Sequence, residues 1–187
     1  MAKTTINNSD SGLVVRTAIN NNFTELYAKS STLATFTATD NQPPATAFAT
    51  LDTRNSIAVL DFDSATDENA HFVGILPEGA SLSSGLVVRL HWMATTATSG
   101  NVRWGVQFER GNTDLDSSSF DTAVEVNGSA NATSGIPTIT TITITTIDGL
   151  AAGDLFRAKV YRNADDATND TMTGDAELIA VEVRSAA

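Results

Sequence analysis

Val102-Arg103-Trp104-Gly105-Val106-Gln107-Phe108-Glu109-Arg110 alternates along its length, with Val102, Trp104, Val106 and Phe108 in one phase and Arg103, Gln107 and Glu109 in the other. A period of two sends successive side chains to opposite faces of a pleated strand, so the segment reads as a strand with one apolar face. Leu86-Val87-Val88-Arg89-Leu90-His91-Trp92 repeats the design, with Leu86, Val88, Leu90 and Trp92 in the apolar phase. Ser99-Gly100, between the two segments, predicts a hairpin loop over 95–101. Trp92 and Trp104 share the phase of their aliphatic neighbours. They are expected in the core, packed across that hairpin, and not on the surface as sugar-stacking rings.

Further strands are expected at Phe48–Thr53, Ile57–Phe62, Ala70–Leu76, Thr122–Val126, Thr138–Ile147, Leu155–Tyr161 and Glu177–Val183. Pro77-Glu78-Gly79 and Asn127-Gly128 are turn signals between them. In the Thr/Ile tract, Ile142 and Ile144 share one phase and Ile139 and Ile147 the other, which predicts a bulge or bend. Eight or nine short strands separated by turn residues predict a mainly β fold, an antiparallel β-sandwich of jelly-roll type. A small closed barrel is the alternative.

One segment departs from this pattern. From Asp10 to Tyr27, Val15, Ile19, Phe23 and Leu26 are spaced four, four and three apart, which places them on one face of a helix. Ser9, Asp10 and Ser11 offer N-cap oxygens ahead of it, and Arg16, Thr17, Asn20, Asn21 and Thr24 make the opposite side polar. A helix of about four turns rich in asparagine is marginal alone, so its apolar stripe needs a partner. That partner is either its own β domain or another chain. The spacing approaches a heptad repeat for barely two heptads, too few to read an oligomeric state. Small polar residues and Pro43-Pro44 mark 29–45 as a linker. The expected organisation is an N-terminal helix over 1–28, the linker over 29–45 and a β-sandwich over 46–187.

The 187 residues carry a formal net charge of −11, with lysine only at Lys3, Lys29 and Lys159. That balance argues against nucleic acid, whose phosphates need clustered cations, and against anionic membranes. The absence of cysteine excludes disulfides and thiolate chemistry. The N-terminal Met-Ala-Lys-Thr-Thr-Ile-Asn-Asn has no apolar core of a secretory signal, and no stretch is long and apolar enough to span a membrane.

The motif Asp10-Ser11-Gly12, Arg16, Ile19-Asn20, Asn22-Phe23, Leu26-Tyr27 resembles a segment near the N-termini of tailed-bacteriophage virion proteins, among them tail-fibre, baseplate-associated and head-decorating proteins. It covers about a tenth of the chain, and Val14-Val15 stands where such segments often carry smaller or more polar residues. More weakly, Asp61-Phe62-Asp63, Leu90-His91-Trp92 and the span 97–105 resemble β-sandwich domains of phage structural proteins. The resemblance implies a non-enzymatic virion protein, assembled in the host cytoplasm. Its helix, with Val15, Ile19, Phe23, Leu26 and Tyr27, would be the attachment or oligomerisation edge. Partners would be capsid or tail proteins, and a homotrimer would be favoured. The alternative is a carbohydrate-binding module that recognises a host glycan.

Few residues compete as chemical centres. Asp61, Asp63, Asp67 and Glu68 bring oxygen ligands close together, as a Ca²⁺ site would, but lack the spacing and central glycine of an EF-hand loop. A solvated acidic loop is the ordinary reading, and so for 165–175. His71 and His91 are expected at the surface or rim. Glu109 with Asp114 is a carboxylate pair of the kind used in glycoside hydrolysis, yet carboxylates are abundant here. No nucleophile elbow or phosphate-binding loop is present, so no catalytic residue and no cofactor beyond that Ca²⁺ is expected.

Overall fold

The computed structural model describes residues 6–7, 9–29, 32–111 and 120–186, with the backbone alone for 23–29. The chain divides into two units, Met1–Ser31 and Thr32–Ala187.

In the first unit, α1 (Gly12–Lys29) begins where the Ser11 hydroxyl accepts the amide of Val14 at 3.4 Å. This N-cap satisfies one of the amides that a first helical turn leaves open. Val15 is partly buried and Ile19 is 40% exposed, while Leu13 is 64% exposed. The side chains of Phe23, Leu26 and Tyr27 lie outside the described residues.

Among the described residues, the second unit is an antiparallel β-sandwich of ten strands, preceded in the chain by that one helix. The strands are β1 (Thr32–Thr37), β2 (Thr50–Arg54), β3 (Ile57–Phe62), β4 (Glu68–Ile75), β5 (Leu86–Ala94), β6 (Asn101–Arg110), β7 (Val124–Ser129), β8 (Thr138–Ile144), β9 (Leu155–Arg162) and β10 (Ala176–Ser185). One sheet runs β2-β3-β10-β5-β8, with β1 also paired to β10. The other runs β4-β9-β6-β7. β10 shares one edge between two partners, β3 along 176–178 and β1 along 180–184, with the register shifting against β5 between Leu178 and Ala180.

The apolar phases read from sequence meet between the sheets. Leu86, Val88, Leu90 and Trp92 of β5 face Val102, Trp104, Val106 and Phe108 of β6 across the core. Trp92 and Trp104 are both fully buried, their rings 5.7 Å apart at 65°, and Phe62 meets Trp104 edge-on at 5.0 Å. Edge-to-face contact of this kind favours the aromatic quadrupoles as well as burying area.

Several expectations are corrected. β5 and β6 are not a hairpin, because residues 95–100 carry the chain from one sheet to the other. Gly100, at φ +94, closes against the Thr171–Met172 backbone. Asn127-Gly128 is not a turn: it lies within β7, where Gly128 pairs with Val102 and has Trp92, Trp104 and Thr140 over it, leaving no room for a Cβ. The linker expected over 29–45 is shorter, since Thr32–Thr37 is β1 and Ala38–Asp40 a 3₁₀ turn, both hydrogen-bonded and packed through Phe36 and Ala38 into the core. The sandwich therefore starts at Thr32, ahead of the expected residue 46. The Thr/Ile tract ends as a strand at Ile144. Ile147 then turns into the core ahead of Asp148, which adopts φ +54.

Candidate functional site

The outer face of β4-β9-β6-β7 carries the richest set of side chains. Phe156, Ala158 and Val160 of β9 point inward, leaving Arg157, Lys159 and Tyr161 outward. The register sets them in three rows. His71, Lys159 and Gln107 form the middle row. Asn69, Tyr161, Gly105 and Glu125 form a second, and Val73, Arg157 and Glu109 a third.

Tyr161 lies flat over Gly105, where any Cβ would collide with its ring, and its hydroxyl donates to Glu125 at 2.6 Å. Asn163 and Arg103 also donate to Glu125, at 3.0 and 3.1 Å. Burial raises the Glu125 pKa, but these three donors outweigh it and hold the carboxylate below its ordinary range. Burial and the bond to Glu125 in turn push the Tyr161 hydroxyl up. Tyr161 is thus a neutral, fixed donor with a partly exposed ring. The Lys159 ammonium stands 5.1 Å from that ring.

At the third row, Phe120 packs 5.2 Å from His71 and lies under the Arg157 guanidinium at 4.9 Å. Arg157 is bound to Glu109, which is only 3% exposed despite its outward phase. The other half of the expected pair, Asp114, lies outside the described residues. Burial, with help from Arg157 and Lys159, lowers His71 to about 4, so it is neutral at physiological pH. Its Nε2 is buried with no hydrogen-bond partner among the described residues. Gln107 donates to the Asp121 carbonyl at 2.9 Å. Two aromatic rings thus flank the polar row, Tyr161 against Lys159 and Phe120 against His71.

The sequence singled out His71, Arg103, Gln107 and Glu109, and Lys159 only as one of three lysines, but not Phe120, Glu125, Arg157 or Tyr161. The missed signal was Tyr161, an aromatic ring in the polar phase of an otherwise regular strand. By contrast, His91 sits on the outer face of the other sheet, lining a shallow depression of about 520 Å³ with Thr35, Pro137, Ile179, Ala180 and Glu182.

The acidic quartet is dispersed into separate duties. Asp63 accepts the amides of Ala65 and Thr66 at 2.6 and 2.9 Å, Asp67 accepts those of Ala164 and Asp165, and Glu68 accepts the amide of Asp63. Among the described residues no group of three or more His, Asp or Glu side chains is arranged to hold a metal ion. In the 165–175 segment, Asp166 caps its own turn and Asp170 pairs with Arg162.

No family model matches the chain, and no curated protein matches it. Among solved structures, it is similar to a family 11 carbohydrate-binding module from Clostridium thermocellum in complex with a mixed-linked tetrasaccharide (TM-score 0.40, 10% identity, covering 83% of this chain and 89% of that one). It is also similar to the module CBM6cm-2 of Cellvibrio mixtus lichenase 5A in complex with cellotriose (TM-score 0.34, 10% identity, 83% and 99% covered). A third is TmCBM61 in complex with β-1,4-galactotriose (TM-score 0.32, 9% identity, 69% and 71% covered).

Asp61 and His71 predict a specific pH behaviour. Asp61 faces Glu177 across β3 and β10. Burial, then Asp175, Glu177, Asp52 and Glu68, raise it to about 6, above its ordinary 3.8. A carboxyl raised in the folded state contributes stability that is full below 3.8 and is lost as pH rises through about 6. His71, depressed from 6.5 to about 4, does the reverse: its contribution is full above 6.5 and is lost as pH falls towards 4. The two slopes oppose between pH 4 and 6. Asp61→Asn is therefore expected to stabilise the fold at pH 7 by about 1 kcal/mol and to uncover a loss on acidification. Urea midpoints at pH 4.5 and 7 check this, and an Asp61→Asn protein less stable than its parent at pH 7 would contradict it.

Proposed function

We propose that the protein is a non-catalytic recognition module whose ligand is a glycan, bound on the outer face of β4-β9-β6-β7. The supporting observation is the polar row His71–Lys159–Gln107 set between the rings of Tyr161 and Phe120. Saccharides offer apolar C–H faces that stack on aromatic rings, and hydroxyls that need fixed donors and acceptors between them. Here the rings are held by Gly105 and Arg157, and Glu125 is locked by three donors. Preorganisation of this kind lowers the entropic cost of binding.

The N-terminal unit supports a second element of the reading, attachment to a larger assembly such as a phage particle. Its basis is the phage-like motif of 10–27, a helix in a unit separate from the sandwich, and the exposure of Leu13, Val14 and Ile19. The sandwich would then be displayed and the helix would join it to its support.

The full chain on a glycan array is expected to retain a defined subset of sugars. Tyr161→Ala should weaken that retention by about tenfold or more, the loss of one stacking ring, with the thermal transition within a few degrees of the parent. A folded parent that retains no glycan, or a Tyr161→Ala variant that retains the same set equally well, would overturn the assignment. Sedimentation of the same protein reads the attachment element: a single-copy species removes the trimer.

A further inference from the structure

The arginines of the sandwich are matched to carboxylates throughout. Arg54 pairs with Glu177 at 2.7 Å, Arg89 with Glu182 at 2.9 Å, Arg103 with Glu125 at 3.1 Å, Arg110 with Asp154 at 2.7 Å, Arg162 with Asp170 at 2.7 Å, Arg184 with Glu182 at 3.8 Å, and Arg157 with Glu109. Among the described lysines and arginines of 32–186, Lys159 alone has neither an ion pair within 4 Å nor a hydrogen bond. It is not left so for want of anions, since the chain carries a net charge of −11. Asp67 is near enough to favour the charge without reaching it. Lys159 is also partly buried and stands at the centre of the polar row, cross-strand from His71, whose Nε2 has no partner among the described residues, and against the Tyr161 ring. A partly desolvated cation without a counter-charge is costly, and the cost is relieved when an anion arrives.

We propose that Lys159 receives the carboxylate of an acidic saccharide, so that the ligand of this face is a uronic-acid-type sugar and not a neutral one. This rests on the glycan reading above. Lys159 would supply charge-assisted donors to the carboxylate, with the sugar's apolar face against Tyr161. A long polyanion such as a nucleic acid would meet the acidic surface well beyond this face, whereas a short acidic oligosaccharide confined to the face avoids most of that repulsion.

Titration of the full chain with tri-galacturonic acid and with neutral galactotriose tests this. The acidic trimer is expected to bind about tenfold tighter or more, the usual effect of a hydrogen bond to a charged group. Lys159→Met, which keeps the stem over Tyr161 but removes the charge, should weaken binding of the acidic trimer about tenfold more than it weakens binding of the neutral one, and so erase that preference. Lys159→Arg should restore part of it. Equal binding of the two trimers by the parent, or a preference that survives Lys159→Met, overturns the inference while leaving the glycan reading standing. Binding of neither trimer, alongside array retention of other neutral glycans only, also overturns the inference alone. Binding of no glycan of any kind removes both.

Discussion

Arg162→Ala is expected to cost about 3–5 kcal/mol of folding stability, lowering the thermal transition by roughly 10 °C. Arg162 lies at the end of β9 with its side chain wholly buried, and the side chain of Asp170 is nearly so. Its Nε and Nη2 donate to the two oxygens of Asp170 at 2.9 and 2.7 Å, a bidentate pair. The remaining donors reach the carbonyls of Met172 at 2.9 Å, Gly174 at 2.8 Å and Phe62 at 3.3 Å. One side chain thus ties β9 and β3, in different sheets, to the 170–174 segment that leads into β10. Alanine leaves the buried Asp170 carboxylate without its counter-charge, held by the Arg103 amide at 2.9 Å, and takes a donor from each of three carbonyls; that penalty exceeds the worth of the contacts themselves. Asp170→Leu alone should be nearly as damaging. Arg162→Met combined with Asp170→Leu should recover part of the loss by removing both charges. Chemical denaturation of the four proteins decides the matter: a loss below about 1 kcal/mol for Arg162→Ala would contradict it.

Trp104→Ala should be of comparable size, about 3–5 kcal/mol, through the cavity left between the sheets. Trp104 is fully buried against Phe62 and Trp92. The two tryptophans differ in one polar atom. Trp92 Nε1 donates to the Thr140 hydroxyl at 2.8 Å, whereas Trp104 Nε1 is buried with no partner among the described residues. Replacing each by phenylalanine separates packing from hydrogen bonding. Trp104→Phe removes volume and also an unsatisfied donor, so it should cost less than Trp92→Phe, which strands the buried Thr140 hydroxyl. Equal costs for the two phenylalanine variants, measured by urea unfolding at pH 7, would mean that the hydrogen bond contributes nothing.

The acidic quartet and the face around Tyr161 show how differently sites are legible. Asp61, Asp63, Asp67 and Glu68 are conspicuous because they are close in the chain, yet in the fold Asp63, Asp67 and Glu68 cap separate backbone amides and Asp61 is set opposite Glu177 by strand register. His71, Gln107, Phe120 and Lys159 are far apart in sequence, and only the pairing of β4, β9 and β6 and the packing of Phe120 over them bring them together. Glu109 likewise looked solvent-facing by its phase, and is buried because Arg157 comes across to it.

From sequence alone, the alternation in 86–92 and 102–110 determined that these are strands, which of their faces is apolar, and that both tryptophans are core. The helical spacing of 10–27 and its N-cap were equally legible, because all of these are short-range consequences of backbone geometry. The partner of each strand was not. A period of two is satisfied whether β5 and β6 lie side by side or face each other across a core, and a loop such as 95–100 is long enough for either. Strand pairing is settled by distant residues competing for the same edge, as β1 and β3 do for β10. In the other sheet, the pairing of β9 with β4 and β6 placed Lys159 between His71 and Gln107, and so only the tertiary structure decided where the proposed recognition face lies.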